Sequence, residues 1–199
     1  MFGQFYNMFR YSVEGGVLQS IGKETYADYH SEVNPYLVVA YTKNKHYRLP
    51  SLRLRAAVQY EVAAGWHAIL RSGVNVRYLE YNTYGEYTNI VSVPITLGTE
   101  LSLIKLGSKA LVLGTGVGYS LMKIKTPPFE RRGGLTTATD VAIQGRRFFY
   151  KLGYEYQQDN CSFDYDPAFW GTPAGIGVRE RIQFQENRHQ VFVGVGLKF

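Results

Sequence analysis

Eight segments of this 199-residue chain alternate apolar and polar residues with a period of two. That period places successive side chains on opposite faces of an extended strand. Phe9–Gln19 sets Phe9, Tyr11, Val13 and Val17 against Arg10, Ser12, Glu14 and Gly16. Leu52–Val62 sets Leu52, Leu54, Ala56 and Val58 against Arg53, Arg55, Gln59 and Glu61. Trp66–Tyr81 opposes Trp66, Leu70, Val74 and Val76 to His67, Arg71, Asn75 and Arg77. Asn89–Leu103, Lys109–Ile124, Leu135–Arg147, Phe148–Gln158 and Gln190–Phe199 repeat the pattern. The strands are longer than the ~5–6 residues usual in soluble sheets.

Alternation alone does not say which face is inside. The polar face carries Arg10, Glu14, Arg53, Arg55, Glu61, Arg71, Arg77, Glu100, Asp140, Arg146, Lys151 and Glu155, with both signs in similar number. A water-soluble barrel would turn these residues outward. A small membrane barrel turns them inward as a paired network and shows its aliphatic and aromatic residues to lipid. Aromatic residues gather at strand ends (Phe9, Tyr11, Trp66, Tyr78, Phe148, Tyr154, Tyr156), as interfacial girdles do. The last strand places Val191, Val193, Val195, Leu197 and the terminal Phe199 on one face, the pattern of an outer-membrane assembly signal. The inverted arrangement is therefore expected: one all-β domain over residues 1–199, an eight-stranded antiparallel transmembrane β-barrel with extended extracellular hairpins.

Link lengths agree with this topology. Ala63–Gly65, Ile104–Ser108 and Arg146–Phe148 are tight, whereas Ile21–Ser51, Asn82–Thr88, Lys125–Gly134 and Asp159–His189 are mostly longer. Short periplasmic turns and longer extracellular loops alternate in such barrels, so both termini are expected in the periplasm. Two long links contain strand-like pieces, Pro35–Lys43 and Gly177–Gln185. They are read as extensions of hairpins; counted as spanning strands they would make ten. Tyr36, Leu37, Val38, Val39 and Tyr41 form an apolar, edge-prone segment suited to contact with another chain.

Composition excludes several classes. No apolar run approaches the ~20 residues a membrane helix needs. The net charge of +6 comes from 22 Lys and Arg against 16 Asp and Glu. These are scattered along alternating strands without a basic block, so no nucleic acid is expected as a partner; phosphate-bearing head groups suit the same balance. Cys161 is the one cysteine, which rules out an internal disulfide. Met1–Arg10 lacks the character of a signal peptide, so the numbering is expected to begin near the mature chain.

Thr88–Leu97, with its Val93-Pro94-Ile95 step, resembles the central strand of the small outer-membrane β-barrel family of Bacteroidota, the PorT-like outer membrane protein beta-barrel domain group. Lys109–Ser120, with glycines at 114, 116 and 118, resembles the strand that follows, and Phe149–Tyr156 and Val191–Phe199 resemble the last two. The Tyr36–Tyr41 piece and the long Asp159–His189 segment depart from the compact pattern. The resemblance implies structural or secretion-accessory roles and no catalytic residues.

Chemistry-bearing constellations are sparse. His30, Ser31 and Glu32 are adjacent, so on a strand His30 and Ser31 would point to opposite faces. His67 is expected to be a hydrogen-bonded lumen residue. Gly114-x-Gly116-x-Gly118 lacks the spacing of a dinucleotide fingerprint and is read as making room in a narrow barrel. Asp159, Asp164 and Asp166 miss the EF-hand spacing. No cofactor and no metal is expected, and the chain is not expected to be an enzyme. Its expected partners are outer-membrane lipid and lipopolysaccharide, the barrel-assembly machinery and other outer-membrane proteins. The expected function is a plugged, structural or accessory barrel. The alternatives are a carrier of a small hydrophobic ligand, which would need a gap near the glycines at 114, 116 and 118, and a lipid-modifying enzyme.

Overall fold

The computed structural model describes residues 9–21, 29–30, 38–39, 50–80, 87–126, 129–165 and 180–199. Eight of its strands build one wall: β1 (Phe9–Ser20), β2 (Ser51–Ala63), β3 (Trp66–Glu80), β4 (Tyr87–Leu106), β5 (Lys109–Leu121), β6 (Leu135–Gln144), β7 (Phe148–Tyr165) and β8 (Glu180–Lys198). Each pairs antiparallel with its sequence neighbours, and β8 pairs back to β1 in the register Val13↔Leu197 and Val17↔Val193. The sheet is thereby closed. The backbone amide of Phe199 donates to Tyr11 O at 2.9 Å and fastens the chain end to β1.

Tight hairpins join β2 to β3, β4 to β5 and β6 to β7 at one end of the barrel. Gly65 (φ 79°) and Gly107 (φ 62°) sit at two of these tips, in the left-handed region that a hairpin needs and that only glycine enters cheaply. Pro94 lies within β4, and it has no N–H to give to a ladder. The β3–β4 pairing is interrupted beside it, between Ser72↔Ile95 and Asn75↔Ser92.

The two faces of the wall are chemically inverted relative to a soluble barrel. Val17, Leu54, Leu70, Leu97, Val117, Val141, Leu152 and Val193 all point out and are exposed, Leu97 to 64%. Glu14, Arg53, Arg71, Glu100, Asp140, Lys151 and Glu155 point in and are buried. A closed wall with aliphatic side chains outside and ionised ones inside is stable only where the outer medium is itself apolar.

The hairpins at the other end depart from the expected lengths. The Asp159–His189 link is mostly strand: β7 continues to Tyr165 and β8 begins at Glu180, paired through Tyr165↔Glu180. The Gly177–Gln185 piece is thus, over Glu180–Gln185, an extension of β8 and no ninth or tenth spanning strand. The fifth strand ends at Leu121, short of Ile124. Running from the expected end of that strand into the expected Lys125–Gly134 loop, Lys123–Thr126 pairs with Phe129–Arg132, which pairs with Asn160–Phe163 of β7. The sixth strand ends at Gln144, before Arg146. Of the Pro35–Lys43 piece, Val38–Val39 pairs with Tyr29–His30; Tyr36, Leu37 and Tyr41 lie outside the described residues.

Outward positions of β7 run Phe148, Tyr150, Leu152, Tyr154 and Tyr156, then turn polar at Gln158, Asn160 and Ser162. Those of β8 run Phe199, Leu197, Val195, Val193 and Val191, then His189, Asn187, Gln185, Gln183 and Arg181. The apolar stretch matches the ~9–11 residues a tilted strand spends in a bilayer. Leu152, 60% exposed, is at its middle. Leu152→Arg is expected to cost roughly 2–4 kcal/mol when the barrel unfolds from lipid vesicles in urea. A water-facing position would respond within about 0.5 kcal/mol, and a change that small would mean that the outer face is wet.

Candidate functional site

Alternation sends one residue in two of each strand into the lumen, and closure brings side chains from distant parts of the chain together there. Glu155 of β7 is the centre of one cluster. Arg53 and Arg55 of β2 approach it at 3.1 and 3.2 Å, and the Asn75 amide of β3 donates to it at 3.1 Å. Arg55 also donates to Asn75 Oδ1 at 2.7 Å. Arg53 links this cluster to Glu14 of β1 at 3.2 Å.

Lys151 is the centre of the second cluster. Its Nζ lies 3.4 Å from Glu14, 3.4 Å from Asp140 and 3.6 Å from Glu100, on three different strands. Arg71 closes the ring, 2.8 Å from Glu100 and 3.2 Å from Asp140. Gln59 and Gln144 each donate to Glu100, at 2.6 and 3.2 Å, and Lys198 donates in turn to Gln144. Further along the axis Arg77 donates to Gln157 at 2.6 Å, Gln157 to Asp159 at 2.6 Å, and Arg188 pairs with Asp159 at 2.8 Å.

The space between these groups is set by residues without side chains. A Cβ on Gly114 would stand 2.6 Å from Asp140 Oδ1 and 2.8 Å from Arg71 Nη2, so the absent methyl is what admits that ion pair. A Cβ on Gly194 would crowd the Glu14 carboxyl at 2.9 Å. Gly153 and Gly196 instead make way for the rings of Phe192 and Phe149. The Arg53 guanidinium lies 3.7 Å from the Phe192 ring centre, a cation–π contact in a dry interior. Between Glu14, Arg71, Glu100, Lys151 and Phe149 there remains a cavity of about 10 Å³, about the room of one water.

The expected lumen residues do not all meet. Glu14, Arg53, Arg55, Arg71, Arg77, Glu100, Asp140, Lys151 and Glu155 are buried together. Arg10 and Glu61 pair with each other at 3.1 Å on an exposed rim, their side chains 48% and 37% accessible. Arg146 sits on the exposed turn between β6 and β7, because β6 ends at Gln144. Two lumen ions were expected in a loop: Asp159 and Arg188 pair inside, on the extended parts of β7 and β8. Asp159 is therefore no member of an acidic loop with Asp164 and Asp166; the latter lies outside the described residues. Of the residues expected to form an assembly signal, Val193, Val195, Leu197 and Phe199 are exposed outward and Val191 is half-buried.

Histidines take separate places. His67 is half-buried at the turn end of the barrel, opposite Glu61 in the β2–β3 register. His189 stands on the outer face, bonded to the Tyr154 hydroxyl and 5.4 Å from the Tyr156 ring. His30 lies in the short Tyr29–His30 strand, whereas Ser31 and Glu32 lie outside the described residues.

No family model and no curated protein sequence matches the chain. Solved structures do. Outer membrane protein OprG of Pseudomonas aeruginosa superposes with a TM-score of 0.55 at 13% identity, over 96% of this chain and 95% of OprG. Neisserial surface protein A superposes with a TM-score of 0.50 at 11% identity, over 96% of this chain and 97% of that one. The fold is that of the small outer-membrane β-barrels of Gram-negative bacteria. At this identity the likeness is one of architecture.

Removing one member of a buried ion cluster strands the others, at a typical cost of about 3–5 kcal/mol. Glu155→Ala, which deprives Arg53 and Arg55 together, is expected to lose about that much in urea unfolding from detergent micelles. Arg10→Ala, on the exposed rim, is expected to lose about 1 kcal/mol or less. Equal losses would mean that the lumen is as wet as the rim.

Proposed function

We propose that the chain is an integral outer-membrane barrel with a plugged lumen, serving as a structural or accessory subunit of an outer-membrane assembly and carrying no catalytic centre. The observation that carries this reading is the continuous lumen network from Gln59 and Glu100, through Lys151, Glu14 and Arg53, to Glu155. Eight strands enclose an interior that side chains can fill, and here they leave about 10 Å³ at the centre. Passage along the axis would require breaking several buried ion pairs at once. The alternative of ligand passage at the inward glycines meets the Arg71–Asp140 pair in the space beside Gly114.

The outer wall supports residence in lipid, with the tight turns and both termini on the periplasmic side. Val191, Val193, Val195, Leu197 and Phe199 are proposed as the signal read by the barrel-assembly machinery during insertion. The accessory role rests on the Tyr36, Leu37, Val38, Val39 and Tyr41 segment, a candidate contact for another outer-membrane protein. The PorT-like resemblance of Thr88–Leu97 and Lys109–Ser120 points the same way.

Three measurements test the proposal in order. The purified chain should require detergent and should migrate differently on gels before and after boiling, as closed barrels do. In planar bilayers it should give no steady conductance; open-channel steps would overturn the plug. Cross-linking in native membranes should join the chain to another outer-membrane protein through positions 36–41, and an exclusively monomeric species would overturn the accessory role.

A further inference from the structure

Four basic residues stand together at the turn end of the barrel. Lys105 and Lys109 flank the tip of the β4–β5 hairpin, and Arg146 and Arg147 form the β6–β7 turn. The two hairpins are neighbours, because β5 pairs with β6 as far as Ala110↔Gln144, and Ala110 in turn pairs with Lys105. The Gly145 amide donates to Phe148 O at 2.8 Å and the Lys198 amide to Arg147 O at 2.7 Å, so the arginine turn is tied both to its own hairpin and to β8. All four residues are exposed.

Nothing nearby neutralises them. From Leu101 to Leu113 and from Val141 to Leu152 the sequence contains no aspartate or glutamate, and residues 1–8, which precede the β1 end of this rim, contain none either. Among the described residues no carboxylate pairs with any of the four. Glu61, exposed at the same end, is held by Arg10 at 3.1 Å, and Glu100 and Asp140 are buried against Arg71. The Phe199 carboxylate would offset at most one of the four charges. Directly beyond the patch the wall is apolar. Ile104, Leu111 and Ile143 form one register row across β4, β5 and β6, with Ile104 and Ile143 exposed. Trp66, opposite Leu101, and Phe148 are exposed to either side, as aromatic residues are at head-group depth. Lysine and arginine at that depth can lay their stems along aliphatic surface and present the charge to phosphate.

We propose that Lys105, Lys109, Arg146 and Arg147 bind the phosphate of an anionic phospholipid in the leaflet that meets the turn end, its acyl chains lying against Ile104, Leu111 and Ile143. The assignment rests on the membrane reading given above. An anionic phospholipid answers both features, the charge and the wall beside it, whereas an acidic protein or a nucleic acid would use the charge alone. A zwitterionic phospholipid carries its own cation next to the phosphate, so four uncompensated positive charges discriminate against it.

The test is native mass spectrometry of the full chain released from neutral-detergent micelles that contain equal amounts of phosphatidylglycerol and phosphatidylethanolamine. The wild-type barrel is expected to retain phosphatidylglycerol in preference. That preference should fall roughly tenfold or more in Lys105→Gln/Lys109→Gln/Arg146→Gln/Arg147→Gln. Mobility on unboiled gels reads whether each variant is closed; should the fourfold variant open, Lys105→Gln/Lys109→Gln and Arg146→Gln/Arg147→Gln are each expected to lose roughly threefold. Lys105→Arg/Lys109→Arg, which keeps the charge, and Lys123→Gln/Arg132→Gln, which removes exposed charge at the other end, should both bind as wild type does. Equal retention of the two lipids by wild type, an undiminished preference in the closed Gln variants, the same loss in Lys123→Gln/Arg132→Gln, or displacement by glycerol phosphate at matched concentration would each overturn the proposal. A wild-type barrel that is closed in detergent and shows no preference refutes the basic patch alone; a chain that needs no detergent refutes the membrane reading.

Discussion

Ion pairing across the lumen is the constraint from which the rest of this barrel follows. Arg53 reaches from β2 to Glu155 on β7 and Glu14 on β1, and Lys151 reaches from β7 to carboxylates on β1, β4 and β6. An isolated ion carried into a dry interior costs several kcal/mol, and only well-placed partners offset that cost. Here the partners lie as far apart in sequence as Glu14 and Lys151. They meet only when β8 closes on β1, so charge neutralisation and barrel closure are one event. An open sheet with the same residues would hold its charges on one face and its aliphatic groups on the other, with no medium suited to both.

Packing in the lumen obeys the same demand. A narrow barrel has no room for an arginine and a full side chain at each inward position, so small and large residues alternate in space. Glycines 114 and 194 stand against ionised groups, and glycines 153 and 196 against phenyl rings. The rings in turn are useful neighbours for cations: Phe192 beneath Arg53 and Phe149 within 5.3 Å of Lys151. Leu18, Ile69 and Val112 are buried among these inward residues. The lumen is thus neither a pore nor a hydrophobic core, but a salt lattice with apolar filler.

Much of the wall was legible in the sequence, because a half-apolar strand announces itself by its period. The register of Leu52–Val62 and the outward run Val191, Val193, Val195, Leu197 could be read directly, and the tight links did fall at one end. What failed to register has one cause. Where a strand leaves the apolar belt, its outward residues become polar too, and the period-two contrast disappears. Beyond Gln158 the outward Asn160 and Ser162 are as polar as the inward Asp159, and below His189 the outward Asn187, Gln185 and Gln183 match the inward Arg188. These stretches looked like loop, and the Asp159–Arg188 pair was lost with them. Arg10, Glu61 and Arg146 failed in the opposite way: parity placed them on the inner face, but the wall ends before the lumen closes around them.

A filled lumen also decides where activity can reside. With its axis occupied by arginine, lysine and carboxylate side chains, the barrel offers a ligand only its ends and its outer wall. The wall is mostly aliphatic, interrupted by exposed Thr115 and Thr139, which favours lipid without distinguishing one lipid from another. Discrimination requires oriented polar groups, and along β7 and β8 these appear only above the tyrosines. The long β7–β8 hairpin continues pairing well past the belt. It holds Arg181, Gln183 and Gln185 rigidly against Asn160 and Ser162, and the Phe129–Arg132 strand is paired to the same edge. Strand pairing beyond the belt thus presents paired rows of polar residues where a bare loop would otherwise stand.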